Sequence, residues 1–132
     1  MAKTCMAAAA VASLALVGIA PASAAECSLA TLKGTYIFSS YGVDKDGKNY
    51  GDAGKEIYDG AGRLKLYFAD AGSKKVAEDV ATYTLDADCI GTTTYSDGSG
   101  VTMFVAPDGS RFSFVSSKGD LSFAGEEYRV AE

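Results

Sequence analysis

Residues 58–68 read Tyr58-Asp59-Gly60-Ala61-Gly62-Arg63-Leu64-Lys65-Leu66-Tyr67-Phe68 (YDGAGRLKLYF), and this stretch decides the fold. Asp and Gly tolerate the backbone angles of tight turns, so residues 59–62 signal a hairpin. The following residues alternate, with Leu64, Leu66 and Phe68 on one face and Arg63, Lys65 and Tyr67 on the other. Period-two alternation marks a half-buried strand.

The same grammar extends in both directions. Upstream, residues 33–43 (KGTYIFSSYGV) alternate and carry Tyr36 and Phe38, residues 44–47 (DKDG) form a turn, and residues 50–58 form a weaker, Gly-containing strand. Downstream, residues 69–75 form a polar loop, and residues 76–85 (VAEDVATYTL) are ambiguous. Their first half reads as helix or strand, while residues 81–85 read as strand. Residues 90–95 (IGTTTY), 101–105 (VTMFV) and 111–115 (RFSFV) are strands, separated by turns at residues 97–100, Pro107-Asp108-Gly109 and Lys118-Gly119-Asp120. The last strand spans residues 121–130, with Gly125 expected as a bulge or bend. About eight short strands at regular spacing predict an all-β protein. Short links imply a meander of sequential antiparallel neighbours. An open sheet would leave two unpaired edges, so a closed or nearly closed barrel is expected, with a β-sandwich as the alternative.

Composition fits. Of 132 residues 48% are hydrophobic, with 15 Gly, 8 Tyr, 6 Phe and only 2 Pro. Disorder through lack of core formers, collagen and coiled coil are excluded. There is no His, which removes His-based triads, His metal sites and His pH switches. No G-x-S-x-G elbow, S-x-x-K motif, P-loop or Rossmann glycine pattern occurs.

Residues 1–25 have the anatomy of a secretory signal: Lys3, an uncharged run over residues 6–20, Pro21, then small residues 22–25 for cleavage. That run is shorter than the roughly 20 residues a spanning helix needs. Glu26 before Cys27 does not suit lipidation. The expectation is a signal peptide over 1–25, a single β-barrel domain over 26–132, a secreted or periplasmic location and no membrane insertion after cleavage. Loss of Lys3 makes the domain more acidic than the net −5 of the full chain. Phosphate backbones repel such a domain, so nucleic acid is not an expected partner. Cys5 leaves with the signal, and Cys27 and Cys89 remain for one structural disulfide in an oxidising compartment.

Cys27, Leu32, Gly34, Tyr36 and Phe38 form a recognisable opening, followed by Tyr58–Gly62 and by residues 83–92 (YTLDADCIGT). Together these resemble small secreted bacterial proteins of a calycin or allene-oxide-cyclase-like barrel type. Gly34-Thr35-Tyr36 is also similar to the lipocalin opening Gly-x-Trp, with Tyr36 in the tryptophan's place and Arg129 as candidate for the late-strand arginine behind it. The resemblance implies a barrel with an apolar interior and carries no assigned activity.

Candidate chemistry is sparse. Asp44-x-Asp46-Gly47-x-Asn49 looks like a calcium loop, but an EF-hand needs oxygen ligands at positions 1, 3 and 5, Gly at 6 and Glu at 12. Here those last three positions hold Lys48, Asn49 and Lys55, so the segment reads as a hairpin turn and no metal site is expected. Asp86 and Asp88 would share one face if they lay on a strand, and otherwise are solvated acids beside Cys89. No catalytic residues and no cofactor are assigned. The expected barrel lining is Tyr36, Phe38, Leu64, Leu66, Phe112, Phe114 and Tyr128, and the chemistry of the interior turns on which of Arg63, Glu56, Tyr36, Arg111 or Tyr128 reaches it. The leading functional expectation is binding of a small apolar or amphipathic molecule in the barrel. Alternatives are an extracellular interaction or inhibitor protein, which requires an apolar patch or free edge strand, and a cofactor-free cyclase or isomerase. The enzyme reading requires Asp52, Glu56 or Asp86 to point inward.

Overall fold

The structure, a computed structural model, describes residues 26–132. The signal expected over residues 1–25, including Cys5, lies outside the described residues. A 3-10 turn at Leu29–Thr31 precedes eight strands: β1 (Lys33–Val43), β2 (Asn49–Asp59), β3 (Arg63–Asp70), β4 (Ala77–Leu85), β5 (Ile90–Tyr95), β6 (Gly100–Val105), β7 (Arg111–Lys118) and β8 (Ser122–Ala131). Each pairs antiparallel with the next, and β8 returns to β1 to close a barrel. Closure pairs every strand on both sides, which removes the free edges an open sheet would show. The sandwich alternative is thereby excluded.

The ambiguous segment after residue 76 is strand throughout. β4 pairs Ala77–Thr82 with β3 and Ala81–Leu85 with β5. A helix there would leave the ladder edges of both neighbours open, so tertiary pairing overrides local propensity. Gly125 is not a bulge, because the β7–β8 register runs through it without a shift, Phe114 opposite Gly125. A Cβ there would lie 2.3 Å from the Ser39 carbonyl oxygen and 2.5 Å from the Phe114 ring. The glycine leaves room there for the Phe114 ring and the Ser39 carbonyl. The real irregularities fall between Thr35 and Tyr36 in the β1–β8 ladder and between Gly100 and Val101 in β6–β7. Asp86 and Asp88 lie in the β4–β5 turn rather than on a strand, and both are exposed.

In a meander, turns alternate between ends. Those after β1, β3, β5 and β7 gather at one end, and those after β2, β4 and β6 at the other with the 3-10 turn and the C-terminus. The second end is sealed. Leu32 is fully buried there, and Tyr83 Oη donates to the carbonyls of Leu29 at 2.9 Å and Leu32 at 3.0 Å. Tyr36 Oη donates to the Gly109 carbonyl at 2.6 Å and accepts from Arg129 Nε at 3.0 Å. The Arg129 guanidinium stacks 5.5 Å from the Tyr36 ring centre, and its Nη2 donates to the Thr31 carbonyl at 2.9 Å. Gly109 sits under this group at φ +67°, where a Cβ would fall 2.1 Å from the Thr31 carbonyl oxygen. The disulfide between Cys27 and Cys89 fastens the same seal to the β4–β5 turn.

Candidate functional site

Above the seal, aromatic rings form a continuous floor. Tyr58 is central, packing edge-on at 5.2 Å from Tyr36, 5.1 Å from Tyr83 and 6.0 Å from Phe112. Edge-to-face stacking adds to the apolar area these rings bury. Phe112 continues to Phe114, and Phe114 to Phe38 and Phe123. Between floor and open end lies a cavity of about 280 Å3. That places it at the lower end of the roughly 300–1,000 Å3 range of small-molecule sites.

Of the residues named from the sequence, Phe38, Leu66, Phe112 and Phe114 border this cavity. Tyr36 and Leu64 are buried beneath it in the packed floor. Tyr128 does not line it. It is 44% exposed on the outer face, opposite the outward Ile37 and Arg111. The inward phase of β8 runs through Phe123, Gly125 and Glu127, and period two sends Tyr128 the other way. Arg63 and Arg111 are likewise on the outside. Of the three carboxylates weighed, Asp52 and Glu56 face the cavity. Asp86 does not, as its Oδ1 accepts from the Ile90 amide at 2.9 Å within the turn.

The cavity's polar chemistry comes from neighbouring strands. In the ladders, β1 places Tyr36 beside Glu56 of β2 and Phe38 beside Glu127 of β8, which aims both glutamates inward. They are 3% and 2% exposed, and both line the same cavity. Tyr58 Oη donates to Glu56 Oε2 at 2.5 Å. Glu127 Oε1 is buried with no hydrogen-bond partner among the described residues. Burial pushes the Glu56 carboxyl up to about 7, partly offset by the bond from Tyr58. Burial, then the neighbouring Glu56 charge, holds the Glu127 carboxyl well above the usual carboxylate range. Two like charges in a dry site cannot both ionise easily, so the pair titrates as a unit. Burial also raises Tyr58 and Tyr95, which remain neutral phenols beside it.

Nearer the mouth, Asp52 accepts from Ser40 Oγ and, at 2.9 Å, from Tyr50 Oη. Burial raises its pKa against those bonds. Asp70, Asp79 and Asp97 complete the rim. Among the described residues lining the cavity there are six carboxylates and no lysine or arginine. Sequence reading missed Glu127 and the rim acids. The signal for Glu127 was the phase set by Phe123, which the aromatic Tyr128 one position later obscured.

No family model and no curated protein matches the chain. A solved structure of a de novo designed fluorescence-activating β-barrel is similar, with a TM-score of 0.51 and 14% identity. The match covers 76% of this chain and 94% of that one. At that identity the likeness speaks for the shared fold alone, a small closed β-barrel.

Proposed function

We propose that this chain is an exported binding barrel that holds one small apolar or amphipathic molecule in its open-ended cavity. The observation that carries the reading is a cavity of about 280 Å3 between a packed aromatic floor and an open rim, walled by Phe38, Leu66, Phe112 and Phe114. A barrel built only for stability would fill this space, since a void forfeits packing contacts. Export is supported by the signal-like residues 1–25 and by the disulfide, a bond that persists in oxidising compartments. A calycin-like affiliation is part of this reading, supported by the opening motif Gly34-Thr35-Tyr36 and by Arg129 stacked against Tyr36. The outer face carries Lys55 and Lys65 well inside their strands, with Lys65 paired to Glu78 of β4, which suits water rather than lipid.

The test is an amide NMR titration with 4-phenyl-1-butanol. Saturable shifts on inward residues such as Phe38, Leu66, Thr93 and Phe114 are expected. Their absence, or shifts confined to the outer face, overturns the reading. Thr93→Phe, which places a ring in the cavity, should abolish the response while far-UV circular dichroism stays β-type.

A second reading, a cofactor-free cyclase or isomerase, is favoured by one observation: a buried carboxyl pair beside a phenol can lend or accept a proton near neutral pH. Turnover of a β,γ-unsaturated cyclic ketone, lost in Glu56→Gln, is its signature. The interaction-protein alternative loses one support, because the closed barrel leaves no free strand edge among the described residues.

A further inference from the structure

We propose that the molecule held in the barrel is an organic cation, an amphipathic amine whose protonated nitrogen sits between Glu56 and Glu127 while its apolar body lies against Phe38 and Phe114. The inference rests on the binding reading above and names its ligand class.

The first support is a polar group without a partner. Glu127 Oε1 is buried and receives no hydrogen bond among the described residues. Leaving such a group unsatisfied is costly, and native structures rarely do so without a reason. Between them the two glutamates offer four oxygens, and the protein donor that reaches them is the Tyr58 hydroxyl. The proton the pair retains bridges at most two of those oxygens, so a further donor still has acceptors to meet, and an ammonium brings three N–H groups on a compact charge.

The second support is the charge of the chamber. Its lining holds six carboxylates and no basic side chain among the described residues. Arg129, on the same strand as Glu127, is spent in the seal, on Tyr36 and on the Thr31 carbonyl. The acids at the rim draw cations inward and repel anions, and a low-dielectric cleft strengthens that field. Aromatic rings line the same chamber, and an aromatic face attracts a cation.

A bare metal ion fits poorly. Calcium takes 6–8 oxygen ligands, and among the described residues no three carboxylates converge closely enough to hold a metal ion, while Leu66, Phe112 and Phe114 of the same lining supply no ligand. An ammonium carried on an apolar body satisfies both halves of the cavity at once.

Proton balance follows. In the empty barrel the pair retains a proton, because burial disfavours the charged form. Tyr58, Tyr95 and Asp52 face the pair, and both phenols stay protonated. When R–NH3+ enters, a carboxyl O–H bond breaks, its proton passes to the buffer, and the carboxylate pairs with the ammonium.

The experiment uses 4-phenylbutylamine, 4-phenyl-1-butanol and 4-phenylbutyrate, three molecules of one shape and different charge. Titration calorimetry at pH 7 is run in phosphate and in Tris, which differ in heat of protonation. The amine should bind at least about tenfold more tightly than the alcohol, as expected for a charge-assisted bond in a buried site. The butyrate should not bind, and the amine's heat should differ between buffers by the released proton. In Glu127→Gln, and separately Glu56→Gln should the first misfold, the preference for amine over alcohol should collapse and the buffer difference should shrink. An alcohol or butyrate that binds as well as the amine, or a preference that survives both substitutions, overturns the cation inference and leaves the binding barrel standing. If none of the three binds, both readings fall.

Discussion

Burying Glu56 beside Glu127 has a consequence for stability that runs opposite to most carboxylates. An acid that is salt-bridged when folded loses stability as pH falls. Here the folded barrel holds protons more tightly than the unfolded chain, because both pKa values are raised. Between the ordinary carboxylate range and about 7, the native state therefore binds more protons, and stability falls as pH rises. A shift of that size corresponds to roughly 3 kcal/mol once pH exceeds it. Urea unfolding of the unliganded protein should show a lower midpoint at pH 8 than at pH 5.5, and Glu127→Gln should flatten the profile and raise stability at pH 8. A barrel equally stable across that window would show that the pair is not protonated. Neither glutamate was legible as a pair from sequence. Alternation shows which residues share a face, not which face is inside. In β8 the choice between Glu127 and Tyr128 ran against ordinary hydrophobicity, because the inward position is the polar one. The inward apolar residues of β3 and β7 carried no such conflict, and Leu66, Phe112 and Phe114 are buried on the phase their alternation sets.

Among elements, the N-terminal seal has the most leverage. Its backbone ties to the barrel are few, among them the bond from the Cys27 amide to the Ala87 carbonyl at 3.2 Å. The disulfide closes 62 positions, and the entropy of that loop corresponds to roughly 4 kcal/mol, an upper figure where the unfolded chain keeps structure. Cys89 also sits at φ +64°, a left-handed conformation rare for a residue with a Cβ. Cys27→Ala with Cys89→Ala should therefore lower unfolding free energy by about 2–4 kcal/mol, measured by urea titration. An unchanged midpoint would mean that Tyr83, Arg129 and Leu32 hold the seal unaided. The cysteine pair was readable from sequence by simple count, since the cleavage expected after residues 1–25 would leave two. What the pair fastens was not, because residues 28–32 carry no strong pattern and gain their place by covering an end that only the folded barrel possesses. β4 makes the same point, since its acidic first half, Glu78 and Asp79, gives no clear period and becomes strand through pairing on both sides.

For the whole molecule, the meander makes all but one ladder local in sequence. The exception is the seam of β1 with β8, which brings both ends of the described chain to the sealed end. Closure was inferred from the cost of free edges, and strand number together with short turns was enough for that inference. Joining the ends with a short Gly-Ser linker and reopening the chain at Ser73–Lys74, in an exposed loop, should leave the β-type circular dichroism and thermal midpoint nearly unchanged. Reopening at Asp108–Gly109 should prevent folding, because that turn packs against Tyr36, Thr31 and Arg129. Equal tolerance at both sites would show the seal to be dispensable.

A plugged bottom and an open top make this barrel a cup rather than a tunnel. Whatever goes in head-first must back out through the same doorway, so a guest longer than the chamber leaves its tail in water. A bead or dye coupled to that trailing end would leave capture intact, whereas one coupled to the head would block it. Immobilised bait for fishing out this protein should therefore be tethered from the far end of the guest.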